Sequence, residues 1–172
     1  MAGDIRMLNT GQLLELSRRL RAAGGAPLQR NFARRIRRAA EPLHRDLRDA
    51  MTGMDISGPG RSTRQGGPSP TTRPLRRTLA EAIRISVRTT GNPGARIWVD
   101  KGRLPPDLRN MPKAMNEAPG GRVRHPVFAN RRRWANTYVT PLWWDRTVRR
   151  HEPRMRAEVE RITDDIRRQL GG

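Results

Sequence analysis

The chain has 172 residues, which suits a single domain, and 34% of them are hydrophobic and 30% charged. The absence of cysteine excludes disulfides, thiolate metal sites and a cysteine nucleophile. No apolar run is long enough to span a membrane, and His44, His125 and His151 are too far apart for a metal-ligand spacing. The net charge is +20, and all but two of the 36 basic residues are arginine. We therefore expect polyanionic or acidic partners, although a GC-rich genome produces the same arginine bias.

Two helices are predicted in residues 10–52. Thr10 is a candidate N-cap of the first, whose leucines recur at spacings of three and four before Gly24-Gly25. The second runs from Leu28 to Met51, with apolar residues on one face and arginine on the other. Pro42 lies inside it, and we expect this proline to kink the helix or split it near Ala40.

Residues 53–74 are predicted to form a flexible arm or loop. Glycine and proline dominate this stretch, and burial cannot offset the entropy lost by ordering it. It is either a disordered surface loop or an arm that orders against a partner. In the second case Arg61, Arg64 and Arg73 are the candidates for contact with the partner or DNA.

Residues 75–130 are predicted to hold a short helix and antiparallel strands. Apolar residues alternate from Ile83 to Val87 and from Ala95 to Val99, on either side of a Gly-Asn-Pro-Gly turn, which predicts a hairpin. After an excursion at 101–121, we expect residues 122–128 to add a third strand, which Pro126 either places at an edge or breaks.

The predicted fold class is α+β, in one domain. A small antiparallel sheet of about three to four strands is packed by the long N-terminal and C-terminal helices. The last section, 131–172, is predicted to form an aromatic turn and then a helix with an apolar stripe from Val148 to Leu170. Pro153 either begins a new helix after a break at His151 or kinks this one.

Five of the seven aromatic residues cluster near this turn: Phe128, Trp134, Tyr138, Trp143 and Trp144. They either plug the core or form a subunit interface, where tryptophan and arginine are enriched. Two adjacent tryptophans cannot both face the same small core on a regular element. We therefore expect Trp143 or Trp144 either to point outward or to sit at a helix entry, where an apolar surface needs a partner. A nucleic-acid stacking surface is less favoured, because such surfaces usually lie on strands and this cluster precedes a helix.

No constellation of residues predicts catalysis, and we expect neither an enzyme nor a metal or cofactor site. Asp164 and Asp165 are neighbours, but side chains one residue apart on a helix point about 100° apart. We expect these carboxylates to balance Arg161, Arg167 and Arg168 at helical spacing.

Several short motifs follow one another in a particular order. Leu75-Arg76-Arg77-Thr78-Leu79 precedes the predicted hairpin, and the later strand carries His125-Pro126-Val127-Phe128. A basic turn leads to Trp134, then to Pro141 and Trp143-Trp144 before the last helix. In this order, over residues 11–170, the chain resembles the tail-completion, or head-tail joining, proteins of long-tailed bacteriophages. The excursion at 101–121 departs from their pattern.

This resemblance implies a virion structural protein without catalysis or cofactor. The expected assembly is a homo-oligomeric ring of six or twelve copies in the neck, formed in the host cytoplasm without a membrane. Its partners would be the adaptor, the stopper, and the tail terminator or tail tube, with double-stranded DNA passing through the channel. The alternative, suggested by the net charge, is a basic nucleic-acid-binding protein without catalysis.

Overall fold

A computed structural model of the chain describes residues 4–6, 14–15, 18–19, 22, 26–57, 74–90, 93–127 and 130–171. Within these ranges the fold is α+β, as predicted, and the long N- and C-terminal helices pack on two small antiparallel sheets. The elements in chain order are β1 (Asp4–Arg6), α1 (Ala26–Thr52), α2 (Leu75–Glu81), β2 (Ile83–Arg88), β3 (Gly94–Val99), α3 (Met111–Asn116), β4 (Arg122–Val127), β5 (Asn130–Tyr138) and α4 (Trp143–Gly171).

Both long helices run through their internal prolines without interruption. Of the two expectations for Pro42, the split near Ala40 is not seen, because α1 is one continuous helix across this proline. Helix α4 is likewise continuous across Pro153, without a break at His151. Each proline removes one backbone hydrogen bond, but the apolar face on either side of it is buried and holds the helix together. Ahead of α1, the described positions at 14–15, 18–19 and 22 are helical, in agreement with the first predicted helix.

The strands form two sheets rather than the single sheet expected from the sequence. The hairpin of β2 and β3 is present, and β3 lies between β2 and β1, with Ile5 opposite Ile97. The prediction that residues 122–128 join this hairpin is wrong, because β4 instead pairs antiparallel with β5 in a sheet of its own. The predicted aromatic turn is therefore largely a strand. Trp134 and Tyr138 lie at outward positions of β5 and the smaller Ala135 and Thr137 at inward ones, so this part of β5 lacks the hydropathy alternation of a strand with one buried face.

The chain divides into two compact units. The first, here called the sheet unit, comprises Asp4–Asp46, Arg84–Trp98 and Val148–Gly172. Its buried apolar side chains come from the first part of α1, from β3 and from α4: Phe32, Ile36, Ala40, Leu43, Ala95, Ile97, Met155, Val159, Ile162 and Ile166. Polar contacts join the two helices, since His151 Nε2 lies 2.7 Å from Asp46 Oδ2 and Arg35 donates to Asp165.

The second unit, here called the ribbon unit, comprises the described residues within Leu47–Ile83 and Val99–Thr147. Its core draws apolar side chains from the end of α1, from α2, α3 and the strands, and from the start of α4: Leu47, Met51, Met54, Leu79, Met115, Val123, Val139, Trp143 and Trp144. The excursion at 101–121 contains α3 and three short 3-10 turns. No helix in the described ranges is both long and apolar enough to cross a bilayer.

Candidate functional site

The candidate site is the exposed face of the two-stranded ribbon formed by β4 and β5. Trp134 and Tyr138 are four residues apart on β5, and side chains at even spacing on a strand share one face. Their side chains are 49% and 47% exposed, which is unusual for large aromatic residues in this chain. The two rings therefore lie on the solvent side of the ribbon, about 13 Å apart along the strand.

The opposite face of the ribbon explains why these rings point outward. Val123 on β4 is buried, and His125 Nε2 lies 2.9 Å from the Thr137 hydroxyl of β5. Smaller inward residues such as Ala135 complete this face, so the register places the large residues of β5 outside. Two backbone hydrogen bonds between Tyr138 and Ser57 tie the outer edge of β5 to the segment after α1.

Arginines surround the exposed rings. The Arg124 guanidinium lies over the Trp134 ring, 4.9 Å from its centroid, in a cation–π contact between diagonal neighbours on the two strands. Arg122 stands opposite Tyr138 in the register, and Arg132 is also exposed on this side. No aspartate or glutamate occurs between Glu117 and Asp145 in the sequence. The face is thus both aromatic and strongly cationic.

The other two aromatic candidates that the structure describes belong to the core. Trp143 and Trp144 are only 4% and 2% exposed, and their rings meet edge to face with centroids 5.5 Å apart. Neither ring points outward, so of the two expectations only the position at a helix entry is confirmed. They are the first two residues of α4, where a change from loop to helix lets adjacent side chains enter the same core. The indole Nε1 of Trp143 has no hydrogen-bond partner among the described residues.

A buried asparagine positions these tryptophans. Asn116, at the end of α3, is 1% exposed, and its side-chain oxygen accepts from the backbone N–H of Trp144 at 2.9 Å. Its amide donates to Asp145 Oδ2 at 2.7 Å, and its backbone carbonyl accepts from Leu142 N–H at 2.8 Å. Asn116 thus satisfies donors that the start of α4 leaves free, as an N-cap would. Sequence reasoning missed this residue, because nothing local links it to a helix 27 residues later.

The remaining candidates lie outside the described residues. These are Phe128 and the arm residues Arg61, Arg64 and Arg73. Sequence reasoning also overlooked Arg122, Arg124 and Arg132 as part of the site. The available signal was two arginines, Arg122 and Arg124, at the spacing of one strand face, in a stretch without carboxylates.

Both adjacent aspartates of α4, Asp164 and Asp165, form ion pairs with arginine. Asp164 pairs with Arg167 at 3.4 Å, and Asp165 pairs with Arg168 and with Arg35 of α1. The predicted charge balance is confirmed for Arg167 and Arg168, whereas Arg161 pairs with Glu158 instead. The hydrogen bond from Arg35 is the main cause that lowers the pKa of Asp165 below its usual value. Within the part of the chain that the structure describes, no three histidine or acidic side chains come together in a way that could hold a metal ion.

Comparison of the chain with protein-family models, with curated proteins and with solved structures yields no match.

Proposed function

We propose that this chain is a structural subunit of the neck of a long-tailed bacteriophage. In this role, copies of the chain form a ring of six or twelve subunits that joins the portal and adaptor side of the head to the tail tube and surrounds the DNA channel. Its partners would be the adaptor, the stopper, and the tail terminator or tail tube. The order of motifs over residues 11–170 supports this role, and so does the absence of a recognisable catalytic motif.

The observation that carries the proposal is the outward placement of Trp134 and Tyr138 on the ribbon. Exposed aromatic rings flanked by arginine are typical of interface centres, because they bury a large area with few rotatable bonds. Half of each ring remains in water in the free chain. Contact with a neighbouring subunit would cover this surface, so association has an apolar driving force.

Sedimentation and negative-stain electron microscopy test the role directly, with the chain alone and with tail-tube or portal proteins of a long-tailed phage. We expect closed rings with wild-type protein and none with a variant carrying Trp134→Ala and Tyr138→Ala. Leu142→Ala is the matched control, because Leu142 is a similarly exposed apolar residue (42%) outside the ribbon. A chain that stays monomeric with every partner would overturn the proposal.

A second candidate function is nucleic-acid binding by the ribbon without catalysis. The structure removes the objection that the aromatic cluster precedes a helix, since Trp134 and Tyr138 lie on a strand with arginines interleaved. Such surfaces stack unpaired bases, at about 1–3 kcal/mol per base. The test measures quenching of Trp134 fluorescence by single-stranded oligonucleotides. Quenching that is lost in the Tyr138→Ala variant and that polyglutamate does not produce would favour this function over ring formation.

A further inference from the structure

One side of α1 carries a stripe of exposed arginines. Arg30, Arg34, Arg37, Arg38 and Arg45 are all exposed. At 100° per residue they fall within an arc of about 100° around the helix axis, and over a length of about 22 Å. The buried residues of the same helix lie on the other side: Phe32, Ile36, Ala40 and Leu43. We call these five residues the arginine stripe.

The charge of the arginine stripe is not neutralised by neighbours. Among the described residues, none of its five guanidinium groups pairs with a carboxylate, and Glu41 is the one acidic residue within the arc. Helix α4 is different, because several of its arginines pair with a carboxylate about one turn earlier. Arg156 lies 3.1 Å from Glu152, Arg167 lies 3.4 Å from Asp164, and Arg161 bonds Glu158. The guanidinium groups of the stripe are therefore available to an external anion, whereas those of Arg156, Arg161 and Arg167 are engaged by carboxylates of their own helix.

We infer that the arginine stripe binds the phosphate backbone of double-stranded DNA. Each guanidinium fork donates two parallel hydrogen bonds to one phosphate, and a linear row of such forks complements a stiff, evenly charged polyanion. At 3.4 Å per base pair, the stripe is as long as about six to seven base pairs. The contacts go to the backbone, so binding is expected to be independent of base sequence.

The composition of the stripe disfavours other partners. Protein interfaces need apolar or aromatic anchors at their centre, and no such side chain lies within the arc. Single strands are held largely by aromatic stacking, which the stripe cannot provide. This inference does not rest on the neck role, because it concerns the free chain and a different surface from the ribbon. The ring assay and the DNA assay can therefore fail separately.

The test compares two triple variants with the same net charge. The first carries Arg34→Gln, Arg38→Gln and Arg45→Gln. The control carries Arg156→Gln, Arg161→Gln and Arg167→Gln, which removes three exposed but paired arginines from α4. Fluorescence anisotropy with two 30-base-pair duplexes of unrelated sequence is followed from about 50 to 300 mM salt. Thermal melting checks that both variants fold, as expected for exposed glutamine with good helix propensity.

The salt dependence is expected to separate the variants. Each lost phosphate contact lowers the steepness of log K against log salt by about 0.9, so the stripe variant should lose about 2.7 units of slope. Near 0.1 M salt it should bind roughly 500-fold more weakly. The control should lose less than a third of that slope. Replacing the same three stripe residues by lysine keeps the charge and should keep most of the affinity, which a merely structural role would not explain.

Several outcomes would overturn the inference. An equal loss in the two triple variants means that only bulk charge matters. If the double variant with Trp134→Ala and Tyr138→Ala loses more duplex affinity than the stripe variant, the duplex binds the ribbon instead. Polyglutamate that competes as well as duplex DNA indicates an acidic protein partner, and tighter binding of single strands or duplex RNA indicates a different nucleic acid.

Discussion

Replacement of Trp144 by alanine tests whether the aromatic cluster is divided between core and surface. Trp144 is 2% exposed and Trp134 is 49% exposed, so the same substitution removes about twice as much buried area at the first position. A buried tryptophan side chain covers about 200 Å², which at about 25 cal/mol per Å² corresponds to about 5 kcal/mol. For Trp134 the corresponding loss of stability is about half as large, including the loss of its cation–π contact with Arg124.

The expected results concern folding and association separately. For a chain of this length, about 5 kcal/mol corresponds to a fall in Tm of roughly 10–20 °C for Trp144→Ala, and about half that for Trp134→Ala. Well below its Tm, folded Trp144→Ala should still associate like the wild type, whereas Trp134→Ala should not. Circular dichroism measures the Tm, and analytical ultracentrifugation measures association at a temperature where both variants are folded. If Trp144→Ala melted within about 2 °C of the wild type and yet failed to associate, our assignment of Trp144 to the core would be refuted.

Three further outcomes are expected in the same assays. Asn116→Ala should lower the free energy of unfolding by about 1–2 kcal/mol, because it removes an N-cap acceptor from Trp144; an unchanged denaturant midpoint would contradict the capping role. Gly121→Ala should lower the free energy of unfolding by at least about 2 kcal/mol, since Gly121 has φ +76° and an added Cβ would lie 2.4 Å from the Val139 carbonyl oxygen. Gly120→Ala should lower it by less, because an added Cβ meets no atom within 4 Å there. Because the pKa of Asp165 is depressed in the folded state, this carboxylate stabilises the fold at pH values above its ordinary pKa of 3.8, and the stabilisation is lost as the pH falls through the folded pKa. Arg35→Gln should move the pKa of Asp165, followed by NMR, back toward 3.8. An unchanged pKa in this variant would exclude Arg35 as the cause of the shift.

Elements with strong periodicity could be read from the sequence. The apolar stripes of α1 and α4 and the alternation in β2 and β3 predict those elements, because each has one face whose burial needs a fixed spacing. Strand β5 could not be predicted in this way. Its large residues, Trp134 and Tyr138, face solvent, so the hydropathy pattern of a strand with one buried face is missing. Whether the prolines of α1 and α4 break their helices could not be decided from the sequence either. Both helices are continuous, since burial of the whole apolar face outweighs one lost hydrogen bond.

The sequence alone determined the fold class, the long helices, the hairpin and the cationic character of the chain, because these follow from spacing and composition. Tertiary structure decided which aromatic residues are available to a partner. Trp143 and Trp144 are buried, and the backbone N–H of Trp144 donates to the side chain of Asn116, which lies 28 residues earlier in the sequence. Trp134 and Tyr138 face outward because β4 and β5 pair in one register, and a register is a property of two strands together.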